Sequence, residues 1–188
     1  YLMVGDDFKF GKERSGDFDF LSDWGSNNQI EVDRIPTHSF EGRRVSSTWI
    51  RESIADGNFD LAAKLLDRRY TFSGKVVFGN KVGRTIGVPT ANIWVPKSNL
   101  PIKGVYAVKA LVKGETFNGI ANMGVRPTVG GTSPVLEIHI FDFNEEIYGC
   151  RIEVEFYQKI RNEKKFENLD KLKEQINLDI AKTKKYFS

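Results

Sequence analysis

From Arg151 to Gln158 apolar and polar positions alternate. Ile152, Val154 and Phe156 fall on one face, and Arg151, Glu153 and Glu155 on the other, the period-two signature of a strand with one buried side. The same alternation sets Leu136, Ile138 and Ile140 against Glu137, His139 and Phe141. The segments FSGKVVFG, GVYAVKALVK and TFNGIANMG also read as strands, bounded by Gly, Pro or Asn turn signals. Their connections are too short for helical crossovers, so the strands are expected to be antiparallel. Five or six of them would close into a barrel, which removes exposed edges. Leu169, Leu172, Ile176 and Ile180 then recur at helical spacing behind Asn168, a good N-cap. They predict an amphipathic helix packed on the barrel.

Before about Arg69 the pattern differs. YLMV and QIEVDRI read as short strands, with Gly5, Gly11, Gly16 and Gly25 marking loops. SSTWIRESIADGNFDLAAKLLD follows, with Ser47 or Thr48 placed to cap one helix ending near Gly57 and Asn58 a second through Leu66. Strands followed by helices suggest the tail of a parallel α/β sheet. The expected division is 1–69, α/β, and 70–188, a barrel with a C-terminal helix. The chain opens on Tyr1 inside an apparent strand, which suggests a piece whose upstream part is missing.

Composition adds bounds. Hydrophobic residues make up 40% and charged residues 28% of the 188, ordinary for a globular protein. No apolar run approaches the roughly 20 residues of a membrane span, and the N-terminus turns polar too early for a signal peptide. The single Cys150 leaves no internal disulfide and suits a reducing, cytoplasmic setting. With only two histidines, a transition-metal site is not expected. Up to Tyr70 there are 10 Lys/Arg against 13 Asp/Glu, and from Thr71 onward 18 against 12. A basic second half suits an anionic ligand, although its C-terminal lysines fit a solvated helix face equally well.

Three chemical features stand out. In GNKVGRTIGVPTAN, Gly79, Gly83 and Gly87 let the backbone approach a ligand closely. Lys81 and Arg84 add positive charge, as in an anion-binding nest. The loop matches neither the phosphate-loop nor the dinucleotide fingerprint. Pro89 extends the chain behind it, so Thr90 and Asn92 point to one side. Their hydroxyl and amide oxygens offer neutral ligands to a hard cation, whose shell nucleotide phosphates would complete; taken alone, the pair reads slightly better as side chains satisfying a turn. Glu137 is either an ordinary solvent-facing carboxylate or a base that takes a proton from an attacking hydroxyl. Gly-rich loop, metal ligands and one base suffice for phosphoryl transfer.

GRTIGVPTANI, NMGVRPTVGG, LEIHIFDFNEEIYG and IRNEKKFENLDKLKEQINLDI, in this order, closely resemble the riboflavin kinase family. The resemblance spans essentially the whole second region, and its PTAN segment is the most specific part. It implies a six-stranded antiparallel, Greek-key-type barrel with a C-terminal helix. It also implies an ATP- and Mg²⁺-dependent kinase that converts riboflavin to FMN. In that family's terms Glu137 would be the catalytic base, and Thr90 and Asn92 would contact Mg²⁺ and ATP phosphate. Gly79, Lys81, Gly87 and Pro89 would belong to the nucleotide loop. NMGVRPTVGG would form a mobile flap with Arg126 a phosphate contact beside the flavin, which Arg161 and Phe166 would help to hold.

The first region resembles the end of an FMN adenylyltransferase module, which bacterial FAD synthetases join to a riboflavin kinase. VGDDFKFG and VSSTWIRESI carry that likeness; the second would bring Ser47, Thr48 and Arg51 to a helix N-terminus near ATP phosphates. Trp49 stands where a basic residue is usual, and the upstream paired histidines are absent, so FAD formation is not expected of this chain. The expected partners are small-molecule substrates, with neither nucleic acid nor membrane. Two other readings are weighed: a barrel that binds FMN or riboflavin without turnover, and a nucleic-acid-binding barrel, against which the strands alternate aliphatics with mixed charges. His38, His139 and Cys150 read as structural residues.

Overall fold

The computed structural model describes residues 1–79, 83, 86–96, 100–128 and 131–188, the side chains at 126–128 and 131–132 excepted. Contacts divide it into two compact units, Tyr1–Ser47 and Thr48–Ser188.

In the first unit, β1 (Leu2–Gly5) pairs in parallel with β2 (Val32–Ile35), Leu2 opposite Val32. Between them runs α1 (Phe18–Asn27), capped by the Asp17 carboxylate, which accepts from the Phe20 N–H at 3.1 Å. The sequence pattern read Gly25 as a loop marker, whereas it lies buried inside α1. A Cβ there would stand 2.5 Å from the Ile30 carbonyl oxygen, so glycine serves the close passage of the chain into β2. β3 (Ser39–Phe40) and β4 (Arg43–Arg44) form a hairpin whose two turn residues, Glu41 and Gly42, have φ of 50° and 74°, the left-handed pair a tight hairpin favours.

The second unit starts with α2 (Ser47–Ala55) and α3 (Phe59–Leu66), the latter capped by Asn58 as its sequence position suggests. Ile54, Phe59 and Ala62 are buried in the same cluster as Tyr106 and Phe156 of the barrel. Phe59 stacks on Phe156 at 5.8 Å and meets Tyr106 edge-on at 5.6 Å. The contact division therefore falls earlier than the expected boundary at 69, because both helices bury their apolar faces on the barrel.

Six strands close the barrel: β5 (Thr71–Val77), β6 (Ala91–Trp94), β7 (Gly104–Val112), β8 (Glu115–Thr128), β9 (Gly131–Ile140) and β10 (Arg151–Arg161). All neighbours are antiparallel, in the order β10-β5-β6-β9-β8-β7 with β7 returning to β10. β6 thus pairs with β9 and not with β7, a Greek-key crossover. Ile93, Leu136, Ile138, Ile152, Val154 and Phe156 fill the interior, as the alternation predicts. β7 reads as a continuous apolar run because both faces are covered. Tyr106, Val108, Ala110 and Val112 point inward, while Val105 and Ala107 join Ile120, Phe141 and Ile160 under Ile180 and Phe187.

Those last two belong to α4 (Leu169–Phe187), capped by Asn168, which accepts from the Lys171 N–H at 2.9 Å. Leu169, expected in its apolar stripe, is exposed, whereas Asp179 and Thr183 are buried. The pairing of β8 and β9 keeps its backbone register through Val125 opposite Pro134 and Arg126 opposite Ser133, so residues 122–128 and 131 of the segment read as a flap lie within two barrel strands. No described helix is long and apolar enough to cross a membrane.

Inside the barrel Tyr106 is fully buried; its hydroxyl donates to the Lys103 carbonyl at 2.6 Å and accepts from the Lys103 N–H. Burial pushes its phenol up to about 12, against the opposing pull of the Lys103 backbone. A raised folded-state value means stability that is complete below about pH 10 and lost as pH climbs toward 12, worth about 2–3 kcal/mol. Alkaline denaturation should therefore steepen above pH 10, and Tyr106→Phe should flatten that limb in a pH series of melting curves.

Candidate active site

The crossover of β6 onto β9 assembles the site. It sets Asn92 directly opposite Glu137, and β8 sets Asn122 opposite Glu137 on the other side. Three polar residues from three adjacent strands thus form one row on the outer face of the barrel, with facing Cβ atoms about 4.5–5.5 Å apart. Asn92 is only 5% exposed and Glu137 is half-buried.

The approach to this row is shaped by glycine. A Cβ on Gly79 would overlap the Asn92 amide, and one on Gly83 would overlap the Val88 carbonyl oxygen and crowd the Thr90 hydroxyl. The Gly83 carbonyl accepts from the N–H groups of Ile86 and Val88, at 3.3 and 2.8 Å. Gly87 sits at φ 80°, a conformation glycine takes without strain. Lys81, Arg84 and the Arg126 side chain lie outside the described residues.

Two cavities meet at Thr90. The first, of about 290 Å³, brings together Thr90, Glu137, Arg161 and Phe166 of the expected residues, walled by Val105, Ile120, Leu172 and Ile176. The second, of about 440 Å³, includes Gly87, Pro89 and Thr90, with Phe143, Glu145 and Tyr148 across from them. Tyr148 also stacks on the exposed Phe78 at 4.2 Å. Gly79 and Asn92 line neither of these cavities and pack against each other.

Three neighbours were given no part in the site from sequence, His139 having been read as a structural residue. His139 Nδ1 lies 2.8 Å from the Pro89 carbonyl oxygen; since a carbonyl only accepts, this nitrogen carries the proton and ties β9 to the chain entering Thr90. Alternation had already placed His139 on the face of Glu137, but its partner lay fifty residues away. Asp179 is the second. Its carboxylate accepts from Arg161 Nε at 2.7 Å and from the Gln175 amide at 2.9 Å. Register shifts in β10 leave Arg161 opposite Val105, on the face that carries α4. The guanidinium also stands 5.6 Å over the Phe166 ring. Asn122 is the third.

Among the described residues no cluster of three His, Cys, Asp or Glu side chains is set to hold a metal. The neutral oxygens of Thr90 and Asn92 fit a hard cation only when a phosphate supplies the negative charge.

A closed antiparallel barrel with two adjoining cavities and a carboxylate between polar neighbours defines a small-molecule-binding barrel. Residues 66–187 match the riboflavin kinase family model and residues 1–49 the FAD synthetase model. The chain belongs to the riboflavin kinase family. It is similar to a bifunctional riboflavin kinase/FMN adenylyltransferase of Haemophilus influenzae, 49% identical over the whole chain and 61% of that protein. The namesake from Escherichia coli K12 is 44% identical, covering the whole chain and 60% of that protein. The crystal structure of a protein from Streptococcus pneumoniae described as a macrolide-efflux protein superposes with a TM-score of 0.78 at 35% identity, over 97% of this chain and 60% of that one. The chain spans about three fifths of the length of the curated relatives it matches.

Proposed function

We propose that residues 70–188 are a cytoplasmic riboflavin kinase that transfers the γ-phosphate of ATP to the ribityl 5′-hydroxyl of riboflavin, giving FMN and ADP. The observation that carries this reading is the meeting of two cavities at Thr90, with Glu137 beside it and Asn92 facing Glu137 across the strand pair.

In this reading the flavin occupies the smaller cavity, against Phe166 and the Arg161 guanidinium, and the nucleotide lies along Gly87, Pro89 and Thr90 in the larger one. Gly79 keeps the Asn92 amide in place, and Lys81 and Arg126 contribute charge to the phosphates. Thr90 and Asn92 would hold Mg²⁺, which when bound neutralises phosphate charge. Glu137 accepts the proton of the ribityl hydroxyl as its oxygen bonds to the γ-phosphorus; the bond from that phosphorus to the bridging oxygen breaks and ADP leaves. His139, by holding the Pro89 carbonyl, fixes the strand that presents Thr90. In a longer parent protein, a complete adenylyltransferase module would convert the FMN to FAD.

Incubating the chain with riboflavin and Mg²⁺-ATP, then separating riboflavin, FMN and FAD by chromatography, tests the reading. FMN without FAD is the expected result. Tight riboflavin binding with no FMN would instead make the domain a non-catalytic flavin-binding barrel.

A further inference from the structure

Resting on the kinase reading, the geometry points to Asn122 as the residue that reads the polyhydroxylated arm of the flavin and delivers its terminal hydroxyl to Glu137. Asn122 stands directly opposite Glu137 on β8 and lines the same cavity. Its β7 neighbour in the row is Val105, an apolar wall residue. Ile120, two residues before it on the same face, is likewise apolar. Gly124, two residues after it, carries no side chain, and the Glu163 carboxylate reaches into the space where a Cβ would stand.

The Asn122 amide is thus a polar group set among apolar wall and two carboxylates. It is half-buried, and among the described residues its side chain has no hydrogen-bond partner. Among the described residues no side-chain polar atom is buried without a partner, so the amide is open to the cavity it lines, where a ligand can take the place of solvent. An amide offers two N–H donors and a carbonyl acceptor, which matches vicinal hydroxyls that each donate and accept. An isoalloxazine ring, flat and mostly apolar, instead suits Ile120, Ile176 and Phe166. The wall therefore divides into an apolar part for the ring and one amide, adjacent to Glu137, for the polyol.

Fluorescence-quenching titrations of the whole chain with riboflavin and with lumiflavin, which carries a methyl group in place of the ribityl arm, test this. Asn122→Ala should weaken riboflavin by about tenfold, the scale of a lost hydrogen bond, and leave lumiflavin within about twofold. The isosteric Asn122→Asp, which loses the donors and adds charge beside Glu137, should show the same selectivity should the alanine variant fold poorly. Equal weakening of both flavins, or of neither, would overturn the assignment. Wild-type protein that forms FMN while the variants bind normally removes Asn122 alone. Wild-type protein that neither binds nor phosphorylates riboflavin removes the kinase reading and Asn122 with it.

Discussion

Glu137→Gln is expected to lower the rate of FMN formation by about 10²-fold or more, the scale of a lost general base. Glutamine keeps the size of the side chain and its place opposite Asn92 and Asn122, so the row survives while the proton acceptor is lost. Riboflavin affinity should change little, since the ring contacts lie elsewhere in the cavity. Single-turnover rates and flavin titrations on the same preparation check both halves. A variant that turned over at the wild-type rate would leave phosphoryl transfer to positioning alone and take Glu137 out of the reaction.

Asp179→Ala should produce the largest loss of stability of any change at the site. Its side chain is 5% exposed and that of Arg161 21%, so removing the carboxylate leaves a largely buried guanidinium with only the Asn162 carbonyl as acceptor and frees the Gln175 amide. Breaking such a pair costs about 3 kcal/mol, or a fall of about 6–12 °C in melting temperature for a chain of this size. Because a buried ion pair contributes little beyond its apolar replacement, Arg161→Met combined with Asp179→Leu should recover most of that loss. Under the kinase reading the double variant still binds riboflavin weakly. Melting curves and flavin titrations on the two variants therefore separate what the pair does for folding from what Arg161 does for the ligand. A double variant as unstable as Asp179→Ala would contradict this division.

Much of the barrel was legible in the sequence because a strand with one buried face writes its alternation directly, as β9 and β10 do. The faces of Glu137 and His139 followed from that pattern alone. Which strand would lie beside β9 did not, since hydrophobic period is the same for every partner, and so neither the Asn92–Glu137–Asn122 row nor the bond from His139 to Pro89 could be read in advance. In α1 the glycine at 25 obscured a helix whose cap, Asp17, was present in the sequence. Along α4 the search for apolar residues passed over Asp179, a charge buried because Arg161 meets it from another element.

The crossover that joins β6 to β9 also governs when the protein becomes competent. Loop closure over long stretches of chain is the slow part of folding a barrel of this kind. Asn92 meets Glu137 only once the β7–β8–β9 meander has swung back to β6. A chain emerging from synthesis could form its β7–β8 hairpin well before Asn92 and Glu137 came together. Under the kinase reading, ligand affinity is thus a property of the closed β6–β9 seam, and a bound flavin or nucleotide stabilises that seam by mass action.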